Sequence, residues 1–132
     1  MITEDQSYAL LLEQVDLVQE QIKLLTVDAV TVSVRSDQIQ RLWYADYDGA
    51  ATIGVAFKAP SILMEGKTKD IFKPLVEAPI QIVLEAVIAH LDTLVGACLQ
   101  THKLNLAGIS AAIGQINKTS NRIGSAEKIE AK

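Results

Sequence analysis

The sequence predicts an α-rich α+β protein with an N-terminal amphipathic helix, a small antiparallel β meander and two apolar C-terminal helices. Three observations lead to this prediction. Apolar residues recur at steps of three and four through the first 25 positions, β-branched residues alternate with polar ones near residue 30, and a stretch with few charges fills much of the second half. At 132 residues, one domain covering 1–132 is expected.

Residues 3–25 are predicted to form the first helix. Thr3 can cap its start, and Glu4 and Asp5 lie in the first turn, where negative charge is favourable. Its apolar positions form a coiled-coil-like seam: Tyr8, Leu11, Val15, Val18, Ile22 and Leu25. The seam fits two interpretations equally well, namely packing on the chain's own core or pairing with another subunit.

The meander is predicted at about residues 27–57. The run VTVSV at residues 30–34 alternates valine with small polar residues, which favours a strand. Residues 46–49 (DYDG) are turn formers, and Gly49 can adopt a positive φ. A rival interpretation continues the heptad register through this region as helix, which would give an all-α elongated helical bundle.

The remaining chain is divided into a polar connection (58–73), a helical pair (74–123) and a polar tail (124–132). Within the pair, a turn at residues 103–104 is expected to separate the two helices, and Asn105 can cap the second.

The helical pair contains few charges. The 44 residues from Pro74 to Asn117 carry four formal charges: Glu77, Glu85, Asp92 and Lys103. Such helices have little with which to form a hydrated outer face. They are therefore expected to lie centrally, in the monomer or in an oligomer.

The overall composition also indicates association. Hydrophobic residues make up 49% of the chain and the mean hydropathy is +0.23, which is apolar for a soluble protein of this size. The net charge of −4 divides into −6 for residues 1–48 and +2 for residues 49–132. This asymmetry suits head-to-tail packing of copies. No dense lysine and arginine patch is present, so nucleic acid is not expected as the main partner.

No motif for catalysis, metal binding or cofactor binding is found, so we predict no catalytic residue, no metal and no cofactor. His90 and His102 are twelve residues apart, and on one straight helix they point in different directions. The aspartates around Gly49 do not match the spacing of a calcium-binding loop. Cys98 lies on the apolar stripe and is expected to be a small buried hydrophobic residue.

A membrane span is not expected. The apolar stretch 80–99 is long enough to cross a bilayer, but Glu85, His90 and Asp92 interrupt it at a cost of roughly 2.5–3.5 kcal/mol for each ionised group at the bilayer centre. The N-terminus also lacks the basic region of a secretory signal. The expected location is the cytoplasm, or a particle assembled there.

These observations predict a non-enzymatic structural subunit that self-associates or packs in a larger complex, such as a filament or a virion-type particle. Its partners would be copies of itself or other protein subunits. One alternative is a small adaptor that binds one protein through the Trp43 region or through the apolar helices. Another is a small ligand-binding or enzymatic domain with a pocket near His90. The residues expected to mediate interaction are the seam Tyr8, Leu11, Val15, Val18, Ile22 and Leu25, together with Trp43 and Tyr44.

Overall fold

Four antiparallel strands form one sheet in the order β1-β2-β3-β4, and helices cover one of its faces. The structure is a computed structural model that describes residues 4–61, 63 and 65–130, with side chains for residues 5–61, 63 and 65–127. Its elements are α1 (Glu4–Lys23), β1 (Val30–Ser33), β2 (Ile39–Tyr47), β3 (Ala50–Pro60), β4 (Thr68–Pro74), a short 3₁₀ turn (Leu75–Glu77), α2 (Ile80–Glu85), a π-helical turn (Ala86–His90) and α3 (Leu91–Glu130). The coarse α+β class is thus confirmed.

Helix α1 packs on the sheet at β3. It agrees with the predicted helix 3–25, whose capping residue Thr3 lies outside the described residues. The side-chain Oε1 of Gln19 accepts a hydrogen bond of 2.8 Å from the backbone N–H of Ile53. Strand β4 ends opposite Gly54, so Ile53 has no strand partner on that side, and Gln19 supplies the acceptor instead.

The meander follows the predicted strands, and the all-α alternative is wrong. Strands β2 and β3 are joined by a two-residue turn, Asp48-Gly49, between the paired residues Tyr47 and Ala50. Asp48 has φ of 53° and Gly49 has φ of 87°, as the tight hairpin turn that matches strand twist requires. The alternation of valine with polar residues at 30–34 therefore outweighed the continued heptad register.

The predicted connection at 58–73 is wrong for most of its length. Strand β3 continues to Pro60, and Thr68–Pro74 forms the fourth strand, β4, at the edge of the sheet. The polar composition of β4 led to the prediction of a loop. Charged side chains are common on edge strands, where they discourage pairing with other chains.

The prediction of two C-terminal helices is also wrong. Residues from Ile80 onward form one continuous helix through the π-helical turn to Glu130, without a turn at 103–104. The sequence KLNL at 103–106 contains no proline or glycine, so nothing there forces the helix to end. The predicted polar tail is helical to Glu130, and its last two residues, Ala131 and Lys132, lie outside the described residues.

Side chains of α3 hold the segment that leaves α1. The Nδ1 atom of His102 accepts a 2.8 Å hydrogen bond from the backbone N–H of Thr26. Asn105, predicted as a helix cap, instead donates from Nδ2 to the Thr26 carbonyl at 2.7 Å. This clamp marks the last place where α3 bonds to the rest of the described chain through a side chain.

The core lies between the helices and the inner face of the sheet. Strand alternation places Leu42 and Tyr44 on this inner face, opposite Val55 and Ile53 of β3. The helices contribute buried residues from α1, α2, the π-helical turn and α3: Val15, Ile22, Ile82, Val83, Ala86, Leu94 and Cys98.

Gly54 is required by the position of Trp43 on the other, outer face of the sheet. The indole ring crosses β3 at this glycine, and a Cβ atom there would lie 1.9 Å from the ring. We predict that Gly54→Ala displaces the ring and lowers the free energy of unfolding by about 1–3 kcal/mol, as overpacking does. Urea denaturation followed by Trp43 fluorescence measures both effects. Gly114→Ala is the control, because a Cβ there meets nothing within 4 Å and should be neutral or stabilising.

The hydrogen bond from Ile53 to Gln19 gives a second prediction. Gln19→Ala leaves the Ile53 N–H without its acceptor and should cost about 1–3 kcal/mol in urea denaturation. Gln14→Ala, an exposed position on the same helix, should change stability by less than about 0.5 kcal/mol. Equal effects of the two substitutions would show that Gln19 does not support β3.

Candidate interaction surfaces

The predicted seam of α1 faces the chain's own sheet. Val15 and Ile22 are each only 2% exposed. The other four seam residues, Tyr8, Leu11, Val18 and Leu25, are partly buried and pack against the same core. The seam is therefore used within the chain, in agreement with the first of its two interpretations.

The opposite side of α1 carries a row of leucines that the sequence analysis did not identify. Leu10 and Leu17 are seven residues apart, so they lie along one side of the helix, and Leu24, which is 85% exposed, continues the row in the turn after α1. The exposed carboxylates of Glu13, Asp16 and Glu20 lie on the outward half of the helix near this row. The seven-residue spacing was visible in the sequence, but the stronger seam concealed it. We call this surface the α1 outward face.

Trp43 and Tyr44 lie on opposite faces of the sheet. Tyr44 is 3% exposed in the core, and burial raises the pKa of its hydroxyl. Trp43 is half-buried on the outer face and stacks on Tyr47, with ring centroids 5.8 Å apart. Of the two predicted aromatic interaction residues, only Trp43 is therefore accessible.

Two more residues complete an aromatic surface around Trp43. Arg41 pairs with Ala56 of β3, and Ala56 pairs with Phe72 of β4, so all three lie on the outer face. Phe72 is 50% exposed, and the Arg41 guanidinium lies 5.3 Å from its ring centroid. Phe72 was missed because β4 was predicted as a loop. We call the surface formed by Arg41, Trp43, Tyr47 and Phe72 the outer sheet face.

The third surface is the far half of α3. Leu91, Val95 and Cys98 pack into the core in the first half of the helix. Eighteen residues are five turns of an α-helix, so a residue 18 positions later lies on the same side. The positions 18 residues after Leu91, Val95 and Cys98 are Ile109, Ile113 and Ile116, which therefore continue the same stripe. Beyond the clamp at His102 and Asn105 this stripe is uncovered. We call the exposed row Leu106, Ile109, Ile113, Ile116 and Ile123 the distal stripe.

The charge-poor stretch 74–117, which was predicted to lie centrally, is buried only in part. Its first half, up to Cys98, contributes to the core, whereas most residues from Lys103 to Glu127 are exposed. The continuous helix Ile80–Glu127 is long and apolar enough to cross a membrane by length and composition. The core helix of a soluble protein passes the same test, so this is weak support for a span.

Metal-ligating side chains and surface hollows are the remaining candidate sites among the described residues. No group of three His, Cys, Asp or Glu side chains within the described ranges could hold a metal ion. One hollow of about 250 Å³ lies between β3 and the start of α2, and another of about 340 Å³ lies beside α1; His90 lines neither. His90 is instead half-exposed in the π-helical turn.

No protein-family model matches this chain, and no curated protein or solved structure is similar enough to count as a match.

Burial of two ionisable groups predicts a loss of stability at alkaline pH. Burial raises the pKa of the Cys98 thiol and of the Tyr44 hydroxyl, because the core disfavours their charged forms. The unfolded chain therefore loses these protons first. The contribution of these two groups to the free energy of unfolding is complete below the ordinary thiol pKa of about 8.5. It is lost as pH rises through the raised pKa values of the folded protein.

We expect the free energy of unfolding to be level up to about pH 8 and to fall above about pH 9. Urea denaturation across this range measures the slope. Cys98→Ala combined with Tyr44→Phe should flatten it, and an equally steep fall in this double variant would contradict the assignment.

Proposed function

We propose that this chain is a non-enzymatic structural subunit whose copies associate through the distal stripe of α3. The observation that supports this most strongly is the continuation of the buried stripe of α3 beyond the end of the sheet. The same side of one helix is core in its first half and bare in its second half.

The free energy of hydration favours covering this stripe. Ile113 and Ile116 are 55% and 66% exposed. Burying an isoleucine side chain from full exposure contributes about 1.5–3 kcal/mol, so each of these would contribute roughly half of that. The far part of α3, residues 103–130, is about 42 Å long at 1.5 Å per residue. In proteins most helical stability comes from the packing of an apolar face rather than from helix propensity, so covering the stripe would also stabilise this part of the helix.

The stripe suits other copies of the same chain. No formal charge lies between Lys103 and Lys118, so parallel or antiparallel stripes meet without repulsion in that region. The steps from Leu106 to Ile123 are three, four, three and then seven, with Ser120 at the skipped position, which is the spacing of a coiled coil. Isoleucine at both seam positions favours bundles of three or four helices over two.

The main alternative is the small adaptor, for which the half-buried Trp43 and the exposed Phe72 of the outer sheet face are the supporting observation. The two functions differ in the mass of the protein alone in solution. An assembly subunit forms large species by itself, whereas an adaptor remains small until its partner is added.

Ile113→Asp tests the distal stripe. The substitution places a charge in the distal stripe. Because Ile113 is exposed in the single chain, the fold should remain intact. Light scattering across a concentration series should show that the concentration at which the mean mass doubles rises at least tenfold relative to the unaltered chain.

Gln115→Asp is the matched control. Gln115 lies two residues further on, about 200° around the helix, and adds the same charge away from the stripe. It should associate like the unaltered chain. Identical concentration dependence of all three proteins would contradict the role of the stripe. A mass of 14.3 kDa for the unaltered chain at every concentration would contradict the assembly function itself.

A further inference from the structure

We propose that the outer sheet face of one copy binds the α1 outward face of the next copy, so that subunits also stack head to tail. This contact is separate from the distal stripe, and it involves surfaces that the single chain leaves exposed on its two opposite sides.

The outer sheet face already has the form of a binding surface. The Trp43 indole lies flat across Gly54 and is held by its stack on Tyr47. Phe72 and Arg41 extend this surface toward β4. Tryptophan, tyrosine and arginine are the residue types that most often dominate binding energy at interfaces, and here their positions are fixed in advance.

The α1 outward face presents the matching chemistry. Its leucine row provides an apolar ridge, and the chain already packs the other side of this same helix on the inner face of the sheet. A second α1 on the outer face would cover the remaining side of the sheet in the same helix-on-sheet manner.

The charges of the two surfaces are opposite. Helix α1 carries five acidic residues and one basic residue, a net charge of −4. On the outer sheet face, strand register places Arg41 and Lys58 against Asp70, a net charge of +1, whereas Lys69, Lys73 and Asp46 belong to the other face. Asp70 is the cross-strand partner of Lys58 on the outer face, and its carboxylate also accepts a hydrogen bond from the Gln40 side chain. Pairing of two sheets or of two α1 helices would oppose like charges, whereas sheet against helix does not.

The geometry determines the kind of assembly. Since α1 covers the inner face, its outward side and the outer sheet face point away from each other. A contact between two different surfaces of the same subunit is heterologous, and its repetition gives an open row or a closed ring. The distal stripe would then join such rows or rings through bundles of α3.

A complementation experiment tests this arrangement in the Ile113→Asp chain, in which the distal stripe is blocked. Adding Leu17→Asp disables the α1 outward face, and adding Phe72→Asp to a separate sample disables the outer sheet face. Each double variant alone should remain at 14.3 kDa at concentrations at least tenfold above those at which the Ile113→Asp chain gains mass. An equimolar mixture should form a species of twice that mass and nothing larger, because each variant retains one half of a single interface.

Leu63→Asp in the same Ile113→Asp chain is the control. It is an equally drastic change at a side chain that is 94% exposed and belongs to neither face, and it should leave the association unchanged. Circular dichroism verifies folding, and Leu10→Asp or Arg41→Glu replaces a variant that fails to fold.

Three results would overturn the proposal: a mixture that remains monomeric, a double variant that dimerises by itself, or an Ile113→Asp chain that is monomeric at every concentration. The last result contradicts the head-to-tail contact but agrees with association through the distal stripe. Conversely, an Ile113→Asp chain that associates like the unaltered protein contradicts the distal stripe but not the head-to-tail contact.

Discussion

The architecture depends on a mismatch in length between one helix and the sheet that it covers. From Ile80 to Glu130 the continuous helix is about 76 Å long at 1.5 Å per residue. The longest strand, β3, has 11 residues and spans about 36 Å. A single helix cannot find cover for its full apolar stripe on such a sheet. The first half completes the core, and the second half presents the same kind of surface to solvent.

The surrounding contacts determine where the helix leaves the body. Leu94 and Cys98 are fully buried, and shortly after them His102 and Asn105 form hydrogen bonds with the backbone N–H and C=O of Thr26. That clamp ties the segment after α1 to α3, and so fixes the position of the α1 outward face relative to the distal stripe. The distal stripe begins directly beyond it, which supports the proposal that protein–protein association uses the bare half of the helix.

Most of the architecture could be predicted where local chemistry decides it. The heptad spacing of Tyr8 to Leu25, the valine alternation at 30–34 and the turn at Asp48-Gly49 each specify an element from nearby residues alone. The errors arose where tertiary context decides. Strand β4 reads as a polar loop because an edge strand needs few apolar residues, and Asn105 reads as a cap although its amide is used to bind Thr26.

The interaction surfaces were harder to predict than the elements. An apolar seam does not reveal which of its neighbours covers it, so the α1 seam fitted an internal or an external partner equally well. Trp43 and Tyr44 are adjacent in sequence, and only the strand register separates the accessible ring from the buried one. Phe72 joined the surface only through the pairing of β4. The low charge of 74–117 predicted helices that lie centrally, in the monomer or in an oligomer. The first half contributes to the core, and the part after Lys103 is exposed in the single chain, where the proposed association would cover it.

Amide hydrogen exchange along α3, measured at low and high protein concentration, tests the central claim most directly. A bare helix that extends into water opens readily, whereas one covered by other copies is protected. The account predicts that protection at residues 106–116 rises with protein concentration while protection around Leu94 and Cys98 stays constant. Equal and low protection at 106–116 at all concentrations would show that copies of the chain do not cover the distal stripe.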